Sequence, residues 1–115
     1  MAIRSTGPVD RDQYGGSTDN WHLEAFNPNT FTVGVRLTAF NLDTSPASEI
    51  GSVSIQLAPQ SHQYFTVDTN GIEHTMAQVS HPLGRDGILV TIYGRHGELQ
   101  IPGAVYRHTQ LIDLA

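Results

Sequence analysis

Between Phe31 and Ala39 every second residue is apolar: Phe31, Val33, Val35, Leu37 and Ala39 alternate with Thr32, Gly34, Arg36 and Thr38. Successive side chains of a strand point to opposite faces, so this spacing predicts a strand with one face in a core and the other in water. Period-two alternation recurs from Trp21 to the end of the chain, and no window places apolar residues at i, i+3, i+4 and i+7 over three turns. Helices are thereby excluded as the main element, and 115 residues hold one domain. The fold class predicted is all-β, an antiparallel two-sheet sandwich of jelly-roll or Ig-like type with seven to eight strands.

Turn residues divide the rhythm. Trp21 to Phe26 forms a strand with Trp21, Leu23 and Ala25 on one face, and Asn27-Pro28-Asn29-Thr30 bends the chain. In the second strand the parity shifts at Phe40 and Leu42, which predicts a bulge near Ala39 or Phe40. After a loop from Asp43 to Gly51, Val53, Ile55 and Leu57 point inward, and Pro59 closes that strand. His62 to Asp68 and Ile72 to His81 read as a hairpin about Asp68-Thr69-Asn70-Gly71, since Asn-Gly supplies the positive φ of such turns. The apolar run Ile88 to Tyr93 reads as a central strand covered on both faces. A short strand, Glu98 to Ile101, a turn at Pro102-Gly103 and a last strand, Val105 to Leu114, complete the domain.

Residues 1–20 differ. They hold Gly7, Pro8, Gly15 and Gly16, five charges, and only Ile3, Val9 and Tyr14 as scattered apolar positions, too few to bury much surface alone. They are read as a flexible N-terminal arm on a β-sandwich domain of residues 21–115. Met-Ala-Ile-Arg leads into Ser, Thr, Gly and Pro rather than an apolar core, so no classical signal peptide is expected.

Charge and composition narrow the partners. Eleven acids against six bases give −5, which repels phosphate backbones and anionic lipid alike, and no apolar run of membrane-spanning length occurs. Nucleic-acid binding and membrane insertion are therefore not expected. The six histidines (His22, His62, His74, His81, His96, His108) share no ligand spacing, so they are expected to sit apart, without a metal. With no Cys, no Gly-x-Ser-x-Gly elbow and acids mostly at turns, no catalytic residue and no cofactor is expected.

Two Gly-Arg-x-Gly segments, Gly84 to Gly87 and Gly94 to Gly97, flank one strand. A six-residue strand spans roughly 20 Å, so the segments are placed at opposite ends of the sandwich. Arg85 and Arg95 are thereby candidates to reach carboxylates of neighbouring subunits. All six bases are Arg and none is Lys, so the strand edges lack their commonest guard against pairing with another chain. An extended arm could add to such an edge, with Ile3, Val9 and Tyr14 filling separate pockets.

The runs Asn27-Pro28-Asn29-Thr30-Phe31-Thr32-Val33, Phe40 to Pro46, Leu57-Ala58-Pro59-Gln60-Ser61, Val90 to Arg95 and Tyr106 to Leu111 resemble small single-domain β-sandwich proteins of spore-forming Gram-positive bacteria. The arm-plus-domain layout is similar to spore-surface and endospore-appendage subunits. That resemblance implies a polymerising structural protein, although such subunits often cross-link through connector cysteines and this chain has none. The first functional expectation is a non-enzymatic structural subunit. It would self-assemble into a filament, appendage or surface layer through its arm and sheet edges, with itself as partner. The alternative is a small ligand- or carbohydrate-binding module with Trp21, Tyr64, Tyr93 and Tyr106 as candidate contacts. Either suits an extracellular, cell-surface or spore-surface setting, with the cytoplasm left open.

Overall fold

The computed structural model describes residues 1–69 and 71–115. Their strands are β1 (Ala2–Ser5), β2 (Val9–Asp10), β3 (Asn20–Phe26), β4 (Val33–Asn41), β5 (Ser48–Leu57), β6 (His62–Asp68), β7 (His74–His81), β8 (Leu89–His96), β9 (Leu99–Tyr106) and β10 (Ile112–Asp113). Single 3-10 turns lie at Arg85–Gly87 and His108–Gln110. Among the described residues the strands form two antiparallel sheets. One has the order β10-β1-β7-β4-β5, with β2 also on β7; the other has the order β6-β3-β8-β9.

The alternation that predicts strands also builds the core. Trp21, Leu23 and Ala25 of β3 with Val90 and Ile92 of β8 meet Val35, Leu37 and Ala39 of β4 and Ala77 and Val79 of β7, all buried between the sheets. Trp21 is fully enclosed, and its indole N–H donates to Thr75 Oγ1 of the opposite sheet at 2.8 Å, so the largest core side chain also satisfies its polar atom. The expected bulge is present, the β4–β5 register shifting between Ala39 and Phe40. Asn27 holds the first turn from inside: it is fully buried, and its amide donates to the carbonyls of Phe31 and Leu57 at 2.8 and 2.9 Å.

Several expectations are corrected. Among the described residues the strand count is ten, because residues 1–20 contribute two strands of their own. β1 pairs with β7 from Ala2↔His81 to Ser5↔Gln78, and β2 adds Val9↔Thr75. Val9 is 1% exposed and belongs to the core. Arg4, fully buried, donates to Asp113 Oδ1 at 3.0 Å, to His108 Nδ1 at 2.9 Å and to the His108 carbonyl, tying the first strand to the C-terminal segment. Two short strands need few apolar residues to dock because β7 supplies the ladder, which is why sparse patterning hid them.

β6 and β7 are not a hairpin, since β6 pairs with β3 in one sheet and β7 with β4 and β1 in the other. Asn70, on which the predicted turn rested, lies outside the described residues. β8 is covered on one face only, its outward residues Leu89, Thr91 and Tyr93 being exposed or half-buried. Pro102-Gly103 is not a turn but an irregular stretch of the edge strand β9, where a missing N–H is tolerated and Gly103 takes φ +90°. Gly94 lies within β8, and a Cβ there would meet Thr18 at 2.9 Å and Ala104 at 3.2 Å, so close packing requires glycine.

Candidate functional site

The outer face of the four-stranded sheet is set by register. In β3 the residues between the core positions, His22, Glu24 and Phe26, point outward. Across from them β6 places Thr66, Tyr64 and His62, and β8 places Tyr93, Thr91 and Leu89. Antiparallel pairing thus brings together residues up to 71 positions apart, counting from His22 to Tyr93.

Glu24 is the centre. Its Oε1 accepts from His62 Nε2 at 2.6 Å, while Oε2 accepts from the Tyr93 hydroxyl at 3.1 Å and faces His22 Nε2 at 3.2 Å. Partial burial works to raise the Glu24 pKa, but the hydrogen bonds from His62 and Tyr93 and the two imidazoles outweigh it, and the carboxyl titrates below its ordinary range. His22 moves down as well, chiefly by desolvation, with the Glu24 charge opposing and Arg95 adding to the shift. At neutral pH the pair is therefore a carboxylate beside a neutral imidazole. The hydrogen-bond pattern selects the tautomer: Nε2–H faces the carboxylate, and Nδ1 accepts from the Thr66 hydroxyl at 2.9 Å.

Around this carboxylate the rings form a series. His62 and Tyr64 lie 6.3 Å apart, Tyr64 stacks on His22 at 5.2 Å and 25°, and His22 meets Tyr93 at 4.8 Å. Tyr64 is 64% exposed, with His22 and His62 beside its ring. Beside Glu24 a groove of about 340 Å³ is bounded by Phe26, His62, Leu89, Thr91 and His108.

Thr66, His22 and Glu24 also have the connectivity of nucleophile, base and orienting acid. β3 is laddered to β6 on one edge and β8 on the other, whereas β6, which carries Thr66, is an edge strand. Among the described residues, no group of three or more His, Asp or Glu side chains is arranged to hold a metal ion, and no helix is long and apolar enough to cross a membrane.

The candidate partner-binding residues are engaged within the chain. Ile3 donates its N–H to the Ala115 carbonyl, Val9 is in the core, and the Tyr14 hydroxyl bonds that of Tyr106. Arg85 reaches Asp113 of its own chain at 3.7 Å, and Arg95, in β8 rather than in a turn, donates to Asn20 Oδ1 at 3.0 Å. Of the four aromatic candidates, Tyr64 and Tyr93 share the outer face, whereas Trp21 and Tyr106 pack together inside, 6.1 Å between rings. Burial and the Tyr14 contact raise the Tyr106 pKa. Glu24, His22 and His62 were missed as a group because sequence spacing does not reveal strand pairing; the alternation that sends Trp21, Leu23 and Ala25 inward does send His22 and Glu24 outward together.

No family matches the chain and no curated protein matches it in sequence. In fold it is similar to the crystal structure of Thermotoga maritima 1070, with a TM-score of 0.53 and 9% sequence identity, covering 98% of this chain and 90% of that one. At such identity the likeness bears on the all-β, two-sheet fold alone. The resemblance to spore-surface subunits has no counterpart in these comparisons.

Proposed function

We propose that the chain is a non-enzymatic binding module that holds a neutral saccharide on the outer face of its four-stranded sheet. The observation that carries this reading is an ionised carboxylate, fixed by three side-chain neighbours, within a series of aromatic rings that includes the exposed Tyr64. A saccharide ring presents a weakly polar C–H face that covers an open tyrosine, and hydroxyl donors that suit the remaining lone pair on Glu24 Oε1. The same charge disfavours acidic ligands. Titration of labelled protein with neutral oligosaccharides should move amide resonances of β3, β6 and β8 selectively. Tyr64→Ala and Glu24→Gln should each weaken binding about tenfold. Neutral oligosaccharides that leave these strands unperturbed, or an equal preference for acidic ones, would sink the assignment.

A second reading, the self-assembling structural subunit, keeps one supporting observation after the arm is placed in its own sheet. β5 is an edge strand of ten residues with Glu49 as its single charge and neither Lys nor Pro. A second copy pairing there would give mass that rises with concentration in sedimentation and is abolished by Ser54→Lys, at an exposed position of that strand. A constant monomer mass would remove this reading.

A further inference from the structure

Thr66 stands where the open edge of the four-stranded sheet meets its outer face. It is exposed on β6, the strand that begins the order β6-β3-β8-β9. Just beyond the two ends of the β3–β6 ladder, the Asn27 N–H donates to the Ser61 carbonyl at 2.9 Å and the Thr69 N–H to the Asp19 carbonyl at 2.8 Å. Bonded and non-bonded pairs alternate along an antiparallel ladder, so Trp21↔Val67 and Leu23↔Phe65 are bonded and His22↔Thr66, between them, is not. The Thr66 N–H is therefore turned away from β3 onto the open edge, and the side chains of the pair are drawn close.

The hydroxyl of Thr66 is held by a base and a cation. It donates to His22 Nδ1 at 2.9 Å, His22 Nε2 faces Glu24 Oε2 at 3.2 Å, and Arg95 Nη2 donates to the Thr66 oxygen at 3.4 Å. A neutral imidazole oriented by a carboxylate is the base that activates such a hydroxyl. Beside Thr66 lies a cleft of about 430 Å³ lined by Asp19, Asn20, Asp68 and Gly97, whose carboxylates disfavour anions. We propose that Thr66 is a nucleophile that accepts an acyl group from a small uncharged ester. Its oxygen bonds to the ester carbonyl carbon as its proton passes to His22 Nδ1, and the carbonyl electron pair moves onto the carbonyl oxygen, which the Thr66 N–H on the open edge can meet. Glu24 stabilises the imidazolium. Collapse re-forms the carbonyl, breaks the bond to the leaving oxygen and returns the proton from Nδ1 to it. The products are a Thr66 ester, formed once per chain, and a free alcohol; this modification does not rest on the saccharide reading.

The full chain has neither Lys nor Cys, so p-nitrophenyl acetate meets few competing nucleophiles. It should release one equivalent of p-nitrophenol in a burst and leave one acetyl group, placed on Thr66 by peptide mass mapping. Thr66→Val should abolish the burst, Thr66→Ser should restore it, and His22→Gln should slow it about a hundredfold. The Tyr64 and Tyr93 rings flank His22; desolvation, then Arg95 and His62, hold it below 6.5 against the pull of Glu24. The rate should accordingly be level above 6.5 and fall as pH drops through the lower folded value. Should His22→Gln fail to fold, that wild-type pH profile decides. Acetyl found only on the amino terminus or on tyrosines, a burst retained in Thr66→Val, or p-nitrophenyl hemisuccinate reacting as fast as the acetate would overturn the proposal.

Discussion

Replacing Val9 by Ala distinguishes a docked first segment from a tail and from an arm lent to a neighbour. Val9 is 1% exposed, pairs with Thr75 in β7 and belongs to the cluster that contains Trp21 and Val79. Losing two buried methyl groups removes about 1.6 kcal/mol of transfer free energy, and the cavity left behind brings the cost to about 2 kcal/mol. For a domain of this size that is a fall of about 8 °C in Tm. Urea and thermal unfolding measured over a wide range of protein concentrations give three separable outcomes. Docking within the chain predicts the full loss at every concentration. Docking on a second copy would make Tm depend on concentration, because association stabilises only the associated form. A mobile tail would lose nothing, and a change below about 0.5 kcal/mol would refute the placement of β2 in the core. Deletion of residues 1–18 follows the same logic more severely: it strips β7 of β1 and β2 and should abolish a cooperative transition.

Asn27→Ala leaves the Phe31 and Leu57 carbonyls without their donor and should cost about 3 kcal/mol in urea unfolding. Gly94→Ala drives a methyl into Thr18 and Ala104 and should cost about 1 to 3 kcal/mol, whereas Gly84→Ala, with nothing within 4 Å, should be close to neutral by the same assay. His22 and His81 are held neutral by burial, so their contribution is complete above the ordinary 6.5 and is lost as pH falls through that value toward their lower folded pKa. His74, held charged chiefly by Asp43, acts in the opposite sense, its contribution being lost as pH rises through its raised folded pKa, but it lies at the surface. The urea midpoint should therefore drop on acidification through 6.5, and His81→Gln should flatten that drop.

What the sequence makes legible is whatever depends on one strand at a time. Alternation from Phe31 to Ala39, the parity change that marks the bulge and the Asn27 turn are all local, and they recur in β4 and its flanks. Pairing is not local. The segment from Asp68 to Gly71 favours a tight turn in isolation, yet β6 and β7 lie in different sheets, because β6 buries Val67 beside Trp21 by pairing with β3. For the same reason β1 and β2 are illegible: strands of four and two residues carry no period, and a buried Arg4 reads as a surface charge until His108 and Asp113 are brought to it. The candidate site fails by the same mechanism, since His22, Glu24, His62 and Tyr93 are separated in sequence and meet only through the registers of β3 with β6 and β8.

The two outer faces of the molecule form an internal control on the proposed function. Both belong to antiparallel sheets whose other side is the same core, so the fold places equal demands on them. On the six-stranded sheet the rows across β5, β4 and β7 read Ser54, Arg36, Ser80, then Ser52, Thr38, Gln78, then Glu49, Phe40, Met76. On the four-stranded sheet the corresponding rows across β6, β3 and β8 read Thr66, His22, Tyr93, then Tyr64, Glu24, Thr91, then His62, Phe26, Leu89. Cross-strand aromatic pairs do stabilise sheets, by roughly 0.2 to 1 kcal/mol each, but that gain calls for rings packed against each other. It does not call for a ring 64% exposed, as Tyr64 is, nor for a carboxylate with donors on both oxygens among them. Exposed aromatic surface and a fixed charge carry a cost in solubility and desolvation. The proposed saccharide site would account for the exposed Tyr64 and the fixed Glu24 carboxylate on this face.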